Sequence, residues 1–216
     1  MKQAELNKSL NAELRKSAKA HKWNSRGGFV FKATELLFFS IIVVAQVKRR
    51  HLSCSLRYKL LAFDDLFWKI VKMDENSRRP LSFRASGAWT APMATISEGK
   101  LSIEDWVEDC LHLTVNQMIE RCEGEAAEVS TKIRGLDDNL DMIEILYAHL
   151  KNEHPGAVTN IWVERLLTTI LKNEYDRSET IIRDRLNNHD SGGFQVGAKS
   201  FYDLANEYVD RLVGDV

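Results

Sequence analysis

The sequence predicts an α+β fold: an antiparallel sheet with an N-terminal helix and a C-terminal helical subdomain. Three observations carry this. Extended and alternating apolar runs are grouped between residues 29 and 60, with no helix between them. One amphipathic helix precedes them. From residue 100 the apolar period changes from two to about 3.6. Grouped strands followed by grouped helices read as α+β rather than α/β, which would alternate the two.

The centre of the pattern is Leu36–Leu60. Leu37, Phe39, Ile41, Val43, Ala45 and Val47 share one face of an extended strand. Phe38, Ile42 and Val44 make the other face largely apolar, broken by Ser40 and Gln46. After Lys48-Arg49-Arg50 the alternation becomes strict: Leu52, Cys54, Leu56, Tyr58 and Leu60 point one way, His51, Ser53, Ser55, Arg57 and Lys59 the other. This is a hairpin of a buried central strand and a partner with one wet face.

Residues 2–22 read as a helix on the stripe Leu6, Leu10, Leu14 and Ala18, lying on the sheet. Asn24-Ser25-Arg26-Gly27-Gly28 breaks it, and Phe29, Phe31 and Ala33 begin a short strand. The glycines follow a helix and precede a strand, the reverse of a phosphate-binding loop. Ala62–Met73 reads as a short helix whose Phe63, Leu66, Phe67, Ile70 and Val71 cover the sheet. Asp64-Asp65 near its start suits the positive helix end as a cap. Leu81, Phe83 and Ala85 alternate with polar neighbours as a further strand, and Ala88–Met93, with Trp89, receives no element.

A helix is expected from Ser102, with Asp105 completing a capping box and Ile103, Trp106, Val107, Cys110, Leu113, Thr114 and Met118 as its stripe; Gly124 is a point of interruption. Later helices follow Leu140–Leu150, then Val158, Trp162, Leu166 and Ile170 after the break His154-Pro155-Gly156. Ser178–Leu186 and a last helix from near Ser200 complete the chain, with Asn187–Gly193 as a loop. The division is a sheet domain at 1–98 and a helical subdomain at 99–216.

Charge is uneven. Through residue 60 there are 13 Lys/Arg against 3 Asp/Glu, a surplus of 10; the whole chain is −1, so the remainder carries −11. The halves either attract each other or the basic one binds an external anion. Cys54, Cys110 and Cys122 form no CxxC pair and read as buried free thiols of a cytoplasmic protein. Leu36–Ala45 is too short to cross a bilayer as a helix, so no membrane association is expected.

No motif commits the chain to chemistry. The six histidines, including His149 and His154, lack metal-ligand spacing, and no metal or cofactor is expected. Glu104 with Glu108 and Asp137 with Asp141 lie one helical turn apart and read as solvated faces. A hydrolase would need His51 with Ser53 or Cys54, but no oxyanion loop accompanies them. The functional surface expected is electropositive: His51, Arg57 and Lys59 on the wet strand face, with Arg49, Arg50, Arg78, Arg79 and Arg84 joining them and Trp89 as a binding aromatic. A protein partner or self-association comes first, since RNA-binding strand motifs are absent; a nucleic-acid accessory and a hydrolase with an unrecognised site are the alternatives.

The order of the opening helix, Trp23–Gly28, Phe29-Val30-Phe31, the strands Leu37–Val47 and Leu52–Tyr58, and Phe63-Asp64-Asp65-Leu66-Phe67 resembles the small bacterial α+β proteins grouped as domain of unknown function 4304. The resemblance covers residues 1–95; the helical continuation after residue 100 departs from that short pattern. It implies an immunity-like protein that binds and masks a partner without catalytic activity. It brings no active-site residues.

Overall fold

The computed structural model describes residues 3–46, 51–85, 89–102, 108–153 and 161–214. It contains an N-terminal helix, a central antiparallel sheet and a helix-rich C-terminal region, the expected α+β class. Two compact units form, each from separate stretches of chain. One comprises Met1–Lys59, Pro80–Gly87 and Met93–Lys132, the other Leu60–Arg79, Ala88–Pro92 and Ile133–Val216. This differs from a single boundary at 98/99. No described helix is long and apolar enough to cross a membrane.

The first unit opens with α1 (Gln3–Ala20), which buries Leu6, Leu10, Leu14 and Ala18 as its stripe requires. The helix ends in a Schellman motif: Trp23 N–H reaches Ala18 C=O at 2.8 Å and Lys22 N–H reaches Lys19 C=O, with Lys22 at φ 59°. The polar stretch expected to be a break is itself a strand, β1 (Asn24–Arg26). Gly27 and Gly28, at φ 58° and 86°, form the two-residue turn into β2 (Phe29–Ala33). Both turn positions require positive φ, which is why two glycines stand there.

The sheet continues with β3 (Leu37–Gln46), β4 (His51–Leu60) and β5 (Ala94–Ser102), in spatial order β1-β2-β3-β4-β5. Strand β5 is a correction, for this stretch read as a boundary and a helix start. Its Thr95-Ile96-Ser97-Glu98-Gly99 core lacks hydrophobic alternation and carries an irregularity opposite Leu56/Arg57. Ser102 closes β5, and residues 103–107, with the expected cap at Asp105, lie outside the described residues.

Helix α4 (Glu108–Lys132) runs unbroken through Gly124 and packs with α1 on the sheet. Its buried stripe is Leu111, Val115, Met118, Cys122, Ala126 and Val129. The expected Cys110 and Leu113 are exposed, since the face that meets α1 is set one position later. Leu81–Ala85, read as a strand, ends in the four-residue helix α3 (Ser82–Ala85), which packs on β1, β2 and β3.

The second unit gathers α2 (Leu61–Ile70), a 3-10 turn at Asp74–Arg78, α5 (Leu136–Glu153), α6 (Ile161–Leu171), α7 (Tyr175–Asn187) and α8 (Phe201–Gly214), with a small hairpin of β6 (Gln195–Val196) and β7 (Lys199–Ser200). Phe63, Leu66, Phe67 and Ile70 of α2 are buried, and α2 packs on α6 and α8 within this unit. Phe67 stacks on Phe201, with ring centroids 5.3 Å apart. The start of α8 is a capping box: Asp203 N–H donates to Ser200 Oγ, and Ser200 N–H donates back to the Asp203 carboxylate at 2.8 Å. His154–Gly156 and Val158 lie outside the described residues.

Candidate functional site

Strand register sorts the sheet's two faces. Phe39 of β3 lies against Tyr58 of β4, with centroids 6.3 Å apart, so the odd residues of β3 share a face with Leu52, Cys54, Leu56 and Tyr58. Cys54 meets Cys122 of α4, and Lys32, paired with Phe39, reaches Glu123 of α4 at 3.4 Å. This face is therefore the one that α1 and α4 cover. The opposite face carries Phe38, Ser40, Ile42 and Val44 of β3, then His51, Ser53, Ser55, Arg57 and Lys59 of β4. Ser53 pairs with Lys100, Ser55 with Glu98 and Arg57 with Thr95, so β5 extends the same face.

That second face has two halves. At the end of β4, α3 lies over it. Lys59 is 2 % exposed there, its ammonium 3.5 Å from the Arg84 carbonyl and 5.8 Å above the Phe38 ring. Alternation placed Lys59 on the wet side, and its parity is right; a helix from later in the chain has covered it. At the other half, Val44 is 46 % exposed, Glu98 and Lys100 are exposed, and His51, Ser53, Ser55 and Arg57 are half-buried. The Arg57 Nε–H donates to Ser55 Oγ at 3.1 Å, which lays the guanidinium along the strand.

His51 and Arg57 stand on the open half of the face, Lys59 and Arg84 at the covered half. Arg78, the last residue of the 3-10 turn, and Arg79 after it are exposed in the other unit, to which Trp89, 46 % exposed, also belongs. Arg49 and Arg50 lie outside the described residues. Val44, Glu98 and Lys100 were missed. Val44 read as core, and the two charges were invisible as a pair without β5. With Glu98 among them, the open half carries both signs.

Other polar groups serve the packing of each unit. His21 Nδ1 lies 2.9 Å from Glu123 Oε2 and its Nε2 3.3 Å from Asn116 Oδ1; His112 Nδ1 lies 2.6 Å from Glu13 Oε2. Both histidines tie α1 to α4. Burial pushes the Glu123 carboxyl up, but hydrogen bonds from His21 and Lys32 outweigh it and hold Glu123 below the usual carboxylate range. Asp64 is fully buried and accepts the Ala91 N–H at 2.8 Å, while α2 has no side-chain cap; the capping role expected for Asp64 is replaced by this grip on residues 89–91.

The structure gives little to the hydrolytic arrangement. His51 and Ser53 do share a face, but residues two apart on a strand stand about 7 Å apart, and the Ser53 hydroxyl donates to Val44 C=O at 3.4 Å. Asp137 pairs with Lys172 at 2.6 Å, and Glu104 lies outside the described residues. Among the described residues no group of three His, Cys, Asp or Glu is placed to hold a metal ion. A depression on α7 and α8 is lined by Glu179, Arg183, Leu186, Asn187, Asn206 and Asp210, without a buried reactive group. Comparison with protein-family models, curated proteins and solved structures finds no match for this chain.

Proposed function

We propose that this chain is a non-catalytic protein-binding module whose recognition surface is the open half of the sheet, where Val44, His51, Ser53, Arg57, Glu98 and Lys100 share one face. The observation that carries the reading is Val44 at 46 % exposure on β3, on the same sheet face as polar and charged side chains of both signs. Protein interfaces combine exposed apolar side chains with polar and charged ones. Small-molecule sites are concave, whereas this surface lies along adjacent strands. Mixed charge favours a folded partner of complementary charge over a polyanion, which rewards a uniformly basic face. The resemblance to domain of unknown function 4304 adds a partner class, a bacterial toxin that the chain masks.

The test is affinity purification of the full chain at physiological salt, with co-purifying protein and nucleic acid both quantified. Wild type is expected to retain one protein in a defined stoichiometry, and Val44→Asp and Arg57→Glu to lose it while remaining folded. Retention of nucleic acid instead, or a complex indifferent to both substitutions, would sink the proposal.

A further inference from the structure

The most chemically specific arrangement outside that surface is on the helix-covered face of the sheet. Cys54, at the middle of β4, and Cys122, on α4, are 68 positions apart in sequence, yet their sulfurs are 3.7 Å apart. Both are buried, at 1 % and 0 % exposure. Cross-strand from Cys54 stands Gly99 of β5. A Cβ at Gly99 would lie 2.7 Å from both terminal nitrogens of Arg121, so the missing side chain makes room for a guanidinium beside the thiol pair. Arg121 is itself bracketed by Glu125, 3.5 Å from its Nε, and Glu125 also accepts the Ser97 hydroxyl.

We propose that Cys54 and Cys122 are a redox pair that closes into an intramolecular disulfide when the protein meets a hydroperoxide. The sulfurs are already in van der Waals contact, and a bond at about 2.05 Å requires an approach of less than one atomic diameter. The pair is also asymmetric. The Cys122 S–H can donate to a Cys54 thiolate; this, with Arg121 nearby, lowers the Cys54 pKa against the opposing effect of burial. The same bond, together with burial, pushes Cys122 up. The Arg121 guanidinium, packed at Gly99 cross-strand from Cys54, marks Cys54 as the attacking thiol and Cys122 as the resolving one. On the β5 side, Gly99 presents no side chain and the Arg121 side chain, 43 % exposed, lies between the thiol pair and solvent, so a peroxide has to enter past Arg121.

The chemistry balances as follows. The Cys54 thiolate attacks the terminal oxygen of the hydroperoxide, the O–O bond breaks, and the departing alkoxide or hydroxide takes a proton. Cys54 is then a sulfenic acid. The sulfur of Cys122 attacks it, the S–S bond forms, the S–O bond breaks, and the oxygen leaves as water with the Cys122 proton. Two thiols lose two electrons and the peroxide gains them.

The test uses the full chain with Cys110→Ser, because Cys110 is exposed and would join chains together. The protein is exposed to hydrogen peroxide, denatured, alkylated with iodoacetamide and weighed intact. The expected result is the loss of two hydrogens and of both alkylation adducts, with a Cys54–Cys122 linkage in the peptide map and full reversal by dithiothreitol. Adding Cys122→Ser is expected to strand Cys54 as a sulfenic acid that dimedone traps; if that variant does not fold, the peptide map of the Cys110→Ser chain decides alone. The proposal is overturned if both thiols remain alkylatable under conditions that oxidise Cys110 in the wild type, or if they oxidise separately to sulfinic acids. Either result would leave them as two small apolar side chains in a core.

Discussion

The indole N–H of Trp68 donates to the carbonyl of Trp89 at 2.6 Å, and one turn earlier on the same helix Asp64 accepts the N–H of Ala91. Two side chains of α2 thus hold residues 89–91 from consecutive helical turns. Trp89 sits between them at φ 58°, a conformation that a non-glycine residue enters only when its surroundings impose it. Asp64→Ala removes the buried carboxyl that accepts the Ala91 N–H, with an expected loss of about 2–3 kcal/mol in urea unfolding. Trp68→His, which shortens the reach of the donor and removes buried ring area, is expected to destabilise as well. A change under about 0.5 kcal/mol for Asp64→Ala would show that the grip is incidental.

Four helices end in the same way. At Lys22, Lys72, Asn173 and His189 the second residue after the helix takes φ between 53° and 59°, and the next N–H bonds back to the carbonyl five positions earlier. A side chain in this conformation costs about 1–2 kcal/mol relative to glycine, partly offset by the greater freedom of glycine in the unfolded chain. Lys22→Gly and His189→Gly are therefore expected to stabilise by about 0.5–1 kcal/mol each, read as a rise in the urea midpoint. Asn173→Gly should gain less, since asparagine tolerates this region.

Glu207 on α8 is held between Lys199 and Lys72, whose hydrogen bonds bring its pKa down to about 2 from the ordinary 4.5. A carboxylate with a lowered folded pKa favours the folded state in its ionised form. The contribution is complete above pH 4.5 and is lost as pH falls through about 2. In thermal unfolding, the gap between wild type and Glu207→Gln should be present at neutral pH and closed at the acid end. All three side chains are solvent-exposed, so the gap should also shrink in high salt. A gap that widens on acidification would contradict the assignment.

Arg57 and Lys59 are two positions apart on one strand face, and charge reversal separates them. Arg57→Glu alters the half-open surface and should leave stability within about 0.5 kcal/mol. Lys59→Glu puts a carboxylate against the Arg84 carbonyl and the Phe38 ring face in a site 2 % exposed, with an expected loss of about 3–5 kcal/mol. Circular dichroism melts of the two variants side by side make the comparison.

The alternation from Leu52 to Tyr58 was enough to place β4 and to say which side chains enter the core, because a strand's two-residue period is written directly in its polarity. The helical periods of α1 and α8 were legible for the same reason. Strand β5 was not, because its neighbours supply what its sequence lacks: Ser97 and Gly99 face α4 through a hydroxyl bond and an arginine side chain, not through apolar contact. Lys59 shows the other limit. Parity assigned its face, but the covering helix α3 comes from a segment that alternates like a strand. The candidate surface was legible only at His51 and Arg57, since its other members depend on β5 and on the exposure of Val44.

The two units exchange the chain five times, at 59/60, 79/80, 87/88, 92/93 and 132/133. During synthesis the sheet therefore waits for α4 before one of its faces can be closed, and α2 is made long before α6 and α8 exist to receive it. Apolar surface must stay open over more than half the length of translation, which favours late, cooperative assembly and gives chaperones a long window of engagement. Cutting the gene at the apparent change of period would then yield no independent piece. A chain ending at residue 98 would keep Leu52, Cys54, Leu56 and Tyr58 while losing the α4 helix that covers them.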